Sequence, residues 1–190
     1  MRPDMPIFVF PEGGLMKHEH GGHSSKAYVD IPKVVSYLLG KDDVFLDIGC
    51  GPGDYLKEAG KVSKNISGMD IHEGSVSSVR SSGIKCVLGD ASKGIPFTDQ
   101  SIDSILLANV LHGFIANKED DAVLAEAARA LKRRGLLGVV EFKKTSEIGP
   151  PADIKLSQSE VISRIVPEGF SQVEEVEAGP EHYLLVFRKK

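Results

Sequence analysis

The chain has no tryptophan, only two cysteines and no large excess of charge of one sign. No apolar run approaches the roughly 18 residues that a membrane-spanning helix requires. Two thiols, Cys50 and Cys86, cannot make a disulfide framework, and so low a cysteine content suits a reducing compartment; a cytoplasmic address is the expectation. The 23 Lys and Arg face 27 Asp and Glu, a net charge of −4, which leaves no chain-wide electrostatic footprint for nucleic acid or an anionic membrane. The opening MRPDMPIFVFPEGG breaks at Pro11 and Gly13-Gly14, too early for a signal-peptide apolar region. No internal repeat is evident. With 190 residues, 41% hydrophobic and 26% charged, the chain is expected to form one domain, 1–190, around one core.

Helical and extended periods alternate along the sequence. Asp30 is a helix cap, Pro32 lies in the first turn, and Ile31, Val34, Val35, Leu38 and Leu39 form one stripe that Gly40 ends. Val44-Phe45-Leu46-Asp47-Ile48 is apolar on both faces apart from one carboxylate, as in a strand of a parallel sheet covered on both sides. Further strands are predicted at 66–70, 85–89, 104–108 and 136–142. A helix is predicted over 118–132, capped by Asn117, with Lys132, Arg133 and Arg134 complementing the C-terminal end of its dipole and Gly135 ending it. Ser157-Gln158-Ser159-Glu160 has the pattern of a capping box opening a helix that buries Val161, Ile162, Ile165 and Val166. A hairpin of strands at 172–177 and 182–188 follows. The expected fold is α/β, a doubly wound sheet of seven strands, mostly parallel with an antiparallel last strand.

The chemistry starts at Asp47-Ile48-Gly49-Cys50-Gly51-Pro52-Gly53-Asp54. Glycines directly after a buried strand let the backbone approach a ligand closely. A dinucleotide fingerprint needs its third glycine one place further on; Asp54 stands there, and its charge would repel a pyrophosphate, which disfavours a nicotinamide-dependent dehydrogenase. Two carboxylates flanking the elbow suit a ligand carrying ammonium or sulfonium groups. The second strand ends at Asp70, 23 residues after Asp47, close to the ~20 expected of an acid that grips a ribose. The third ends at Asp90, whose carboxylate can accept from an adenine amino group. Each acid alone is also read as a cap on the following helix; the ordered set of three favours a binding rim.

Over residues 44–142 the chain resembles the class I S-adenosylmethionine-dependent methyltransferases. VFLDIGCGPG is similar to the first motif of that family, GMDIHEG to the second, VLGDASKGIPFTDQSIDSILLANVLHGF to the third and fourth, and AARALKRRGLLGVVEF to the helix and strand that follow. Gly149-Pro150-Pro151 and the strand from Tyr183 further resemble the type 11, ubiquinone/menaquinone-biosynthesis-like branch. The resemblance implies a Rossmann-like sheet and S-adenosylmethionine as cofactor. It also implies that Asp47, Gly49, Cys50 and Gly51 surround the methionine portion and that Asp70 holds the ribose. Ile71 would pack on the adenine face, Asp90 and Ala91 would meet the adenine edge, and Ala108 and Asn109 would reach the amino-acid portion.

The acceptor side is less legible. Methyl transfer is an in-line displacement at an activated carbon, and a base is needed only where the nucleophile is protonated. His112, three residues past Asn109, is the candidate catalytic base; the alternative is a histidine packing at a helix start. Glu141, at the end of the fifth strand, is a further pocket candidate. His18, His20 and His23 stand close together with Glu19 and could ligate zinc or another transition metal. Flexible glycines and the lack of a neighbouring cysteine favour instead a lid over the cofactor or a substrate segment, residues 1–30, with Tyr28 as a cap. No metal is therefore expected. Asn109-Val110-Leu111-His112 lacks the proline pair of amino-methylating DNA enzymes, and Lys132–Arg134 and 188–190 are read as a helix end and a solvated tail. The expectation is a methyltransferase acting on a small molecule, with no nucleic-acid or membrane partner. The alternative is a cofactor-binding regulatory or accessory protein without transfer activity.

Overall fold

The computed structural model describes residues 28–190. His18, His20 and His23, and nearly all of the expected lid segment, lie outside the described residues. Seven strands form one sheet: β1 Phe45–Ile48, β2 Ile66–Asp70, β3 Lys85–Leu88, β4 Ile102–Ala108, β5 Leu131–Phe142, β6 Phe170–Glu177 and β7 His182–Lys189. Their order is β3-β2-β1-β4-β5-β7-β6. The first five are parallel, and β7 pairs antiparallel with both β5 and β6. The fold is the expected mostly parallel α/β sheet with an antiparallel last strand.

Helices α1 Ile31–Leu38, α2 Asp54–Ala59, α3 Glu73–Ser81, α4 Leu111–Asn117, α5 Asp120–Ala130 and α6 Gln158–Ile165 cover both faces. Period-two alternation divides the sheet's side chains between two cores. Phe45, Leu106, Val140, Leu184 and Val186 pack against α1, α2 and α3. Leu46, Ile48, Ile105, Leu107, Leu137 and Leu185 pack against α4, α5 and α6. The caps read from sequence are present: Asp30 accepts from the Lys33 N–H at 3.1 Å, and Ser157 and Glu160 form a reciprocal capping box. Each secures a helix whose apolar stripe supplies most of its stability.

Two local expectations are corrected. Asn117 closes α4 and does not cap the next helix; α5 begins after Glu119, with Asp120 and Asp121 in its first turn. Lys132, Arg133 and Arg134 are not the end of that helix either. The chain turns extended at Leu131, and β5 pairs Leu131 with Ile102 and then Leu136 with Ser104. Residues 132–135 bulge between those pairs, with Arg134 at φ +66°. A basic run behind a helix reads as dipole complement, but pairing with β4 decides its conformation.

Candidate functional site

The chain leaves β1 toward β2 and leaves β4 toward β5, so the carboxyl ends of these adjacent strands form the crevice where open α/β sheets bind ligands. Asp47 lies there on the α2 face of β1. Its side chain is 1% exposed, and neither carboxylate oxygen has a hydrogen-bond partner. Burial first, then the charges of Asp70 and Asp54, push its carboxyl well above the usual range. A buried carboxyl group with no partner is costly. A ligand cation or N–H donor at this position would offset that cost.

The loop after β1 turns back through residues with positive φ, +69° at Gly49 and +49° at Gly51. A Cβ on Gly49 would sit 2.5 Å from Val110 Cγ1, whereas one on Gly51 would meet open space. Gly49 thus lets the loop close on the start of α4, and Gly51 leaves its backbone open toward the crevice. Asp70 fixes this geometry: Oδ2 accepts from the Gly51 N–H at 2.8 Å and Oδ1 from the His72 N–H at 2.8 Å. Each oxygen keeps a lone pair for a further donor such as a sugar hydroxyl.

Along the rim, Ile71 is 62% exposed, as an apolar wall for a planar base requires, and Leu88, paired with Asp70 across β2 and β3, is exposed beside it. Asp90 Oδ1 accepts from the N–H and the hydroxyl of Ser92 at 2.9 and 2.7 Å, so this acid caps the short turn Ala91–Lys93. The Ala91 methyl is in the core, leaving its backbone for an adenine edge. Cys50 is turned away: its Sγ lies 3.6 Å from Cys86 Sγ beneath the loop, and burial pushes both thiols up.

At the end of β4, Ala108 pairs with Val140. Asn109 has φ +57°, and its Oδ1 is buried without a partner. Tyr55, on α2, also has a buried hydroxyl without a partner; burial and Asp47 push it up. His112 Nδ1 lies 2.8 Å from Glu141 Oε2, and Glu141 Oε1 accepts from the His112 N–H at 3.1 Å. Both side chains are buried. Sequence reasoning missed Tyr55, Leu88 and Val110. An apolar residue just before Gly89-Asp90 was the only available signal for Leu88; nothing local marked the other two.

The orphaned acceptors of Asp47 and Asn109, the spare acceptor capacity of Asp70 and the apolar Ile71 fit a ligand with an amine, a nearby positive charge, a sugar and a base. S-adenosylmethionine has these parts in that order. Among the described residues, no group of three or more His, Cys, Asp or Glu is placed to hold a metal. Fold and site together match the arrangement of the class I S-adenosylmethionine-dependent methyltransferases.

Comparison with known proteins bears this out. Residues 46–139, about half of the chain, match the methyltransferase-domain family, and this match supports a class I methyltransferase of type 11 and implies S-adenosylmethionine as its cofactor. It is 31% identical over 126 residues, 62% of this chain and 52% of the relative, to the ubiquinone/menaquinone biosynthesis C-methyltransferase UbiE of Campylobacter jejuni. It is 33% identical over 115 residues, 60% of this chain and 24% of the relative, to the probable tRNA methyltransferase 9B of Bos taurus. The chain therefore spans about half the length of the first and about a quarter of the second. Among solved structures, an S-adenosylmethionine-dependent methyltransferase from Aquifex aeolicus superimposes with a TM-score of 0.74 at 26% identity, covering 88% of this chain and 93% of that one.

Proposed function

We propose that this protein transfers the methyl group of S-adenosylmethionine to a small-molecule acceptor held at the carboxyl ends of β4 and β5. The observation that carries the reading is Asp47, buried at the switch point with both oxygens unpaired beside the one loop in which Gly49, Gly51 and Gly53 have positive φ. When bound, the cofactor supplies a methyl carbon activated by its sulfonium. Asp47 and Asn109 would receive its charged and amine groups, Asp70 the ribose hydroxyls, and Ile71 the base. Held this way, the cofactor would present its methyl to an acceptor, and orientation would carry most of the barrier lowering for an already activated carbon.

His112 is the proposed general base for acceptors that lose a proton. With Nδ1 donating to Glu141, Nε2 is the basic nitrogen, and burial of the pair shelters it from bulk water. The acceptor site is proposed to draw on the loop between β5 and α6, with residues 1–30 as a lid or substrate segment; Lys155 Nζ donates to the Ser146 carbonyl at 2.6 Å and braces the loop. The test is release of S-adenosylhomocysteine from purified protein across a panel of small metabolites, with a tRNA pool as a separate arm. Turnover on a metabolite supports the reading. Turnover on tRNA alone replaces the acceptor class, and tight cofactor binding without turnover in either arm favours a regulatory or accessory role.

The described residues include no helix long and apolar enough to cross a membrane. The protein is proposed to act in the cytoplasm.

A further inference from the structure

At the end of the sheet opposite the cofactor crevice, two basic runs far apart in sequence meet. Antiparallel pairing of β5 with β7 places Leu136 opposite Arg188, so that 132–134 and 188–190 share one surface. Two adjoining hollows open there. One, of about 240 Å³, is lined in part by Lys132, Arg133, Arg134 and Arg188. The other, of about 200 Å³, is lined by Arg133, Arg134, Ser171, Val173, Arg188, Lys189 and Lys190. Arg133, Arg134 and Arg188 form the wall common to both.

Charge on this surface is not balanced locally. Asp103 and Asp43 border the first hollow. Asp103 is occupied by Lys132 at 2.7 and 2.8 Å and by the Val44 N–H at 2.9 Å, and Asp43 accepts from the Gly40 N–H at 2.7 Å. No acid lines the second hollow. Five cations therefore face one concavity in a chain whose net charge is −4. Arg188 donates to the Arg134 carbonyl at 3.2 Å and Lys189 to the Leu131 carbonyl at 2.7 Å, so the bulge is tied in place. It keeps Arg134 at φ +66°, a left-handed conformation unfavourable for a side chain of this size, and presents Arg133 and Arg134 outward.

We infer that this surface docks RNA through its phosphate backbone. The guanidinium fork matches phosphate geometry, and adjoining hollows with a shared arginine wall suit successive phosphates on a strand. Of the residues lining the second hollow only Val173 is an exposed large hydrophobic group, which disfavours membrane insertion and an apolar protein interface. From Leu136 to Phe142, β5 runs about 20 Å, so docking leaves the cofactor rim accessible. The inference goes beyond the small-molecule reading and does not depend on it.

The test is fluorescence anisotropy with a labelled single-stranded oligouridylate of about 20 nucleotides. Micromolar binding at 50 mM salt should weaken by tens-fold at 200 mM. The double variant R133A/R134A should bind at least 10-fold more weakly, with a salt slope smaller by about 1.4. Its affinity for S-adenosylmethionine and its melting temperature should be unchanged. Absence of salt-dependent binding, or binding unaltered in the double variant, overturns the inference. So does a variant-sensitive affinity seen only for phosphatidylserine vesicles, which would make the surface a membrane contact.

Discussion

Glu141 bonds His112 twice, accepting the backbone N–H through Oε1 and meeting the ring Nδ1 through Oε2. One carboxylate at the end of β5 thereby fixes both the start of α4 and the orientation of an imidazole next to the crevice. The arrangement resembles that of a base held by a second acidic group, in which the acid selects the tautomer.

If this pair acts in proton removal, His112→Ala should lower turnover by about 10²-fold or more on an acceptor that loses a proton. Glu141→Gln should lower kcat and displace the pH profile while the KM for S-adenosylmethionine stays constant. A purely structural pair would leave the pH profile of the surviving activity in place. Glu141→Gln should also cost about 1–3 kcal/mol of stability, since it disturbs a buried hydrogen-bonded group; chemical denaturation measures that separately.

On the proposed reading, Asp47 trades stability for binding. Its raised value means that the native state holds a proton more tightly than the unfolded chain, so stability falls as pH rises from the ordinary carboxyl value through the raised one. Asp47→Asn should therefore stabilise the ligand-free protein above that window by about 1–3 kcal/mol, roughly 2–10 °C in Tm. Below about pH 4 the gain should vanish. Thermal melts of both proteins across pH check the sign.

Asp70→Ala should abolish measurable cofactor binding by calorimetry while the fold is retained. Because Asp70 also holds the Gly51 and His72 N–H groups, Asp70→Asn separates the two roles. It keeps one acceptor oxygen and should weaken binding by about tenfold or more, the worth of one charge-assisted hydrogen bond. Undiminished affinity in both variants would remove Asp70 from the site.

His182 should make the protein acid-sensitive. The ring is buried and lies 4.0 Å from the Phe142 ring. Burial pushes its pKa down to about 4, against the opposing pull of the Tyr28 carbonyl and Glu141. A depressed base contributes stability at neutral pH that is lost as pH falls from about 6.5 through 4, at most about 3 kcal/mol. His182→Phe keeps an aromatic ring against Phe142 and should flatten this part of the wild-type pH dependence.

What could be read from sequence was whatever repeats locally. Short apolar runs marked the parallel strands because both faces of each are covered, and Asp30 and Ser157 marked helix starts because a cap acts within three residues. The acids at 47, 70 and 90 were legible because strand ends recur at βα spacing. Illegible features depend on pairing across the sheet. Arg134 looks like a helix end until β5 is aligned with β4 and β7. Nothing local marked His182, which pairing across the sheet sets opposite Phe142. Glu141 was a bare strand-end acid until α4 brought His112 to it from 29 residues away.

The account turns on whether the crevice around Asp47 takes a cationic cofactor. The most direct measurement is calorimetric titration of S-adenosylmethionine into the wild-type protein and into D47N, with melting curves to show that both are folded. One site in the wild type, and binding at least tenfold weaker in a D47N protein that is more stable when unliganded, is the predicted result. Absence of binding to the folded wild type, or equal affinity in the two proteins, would contradict it.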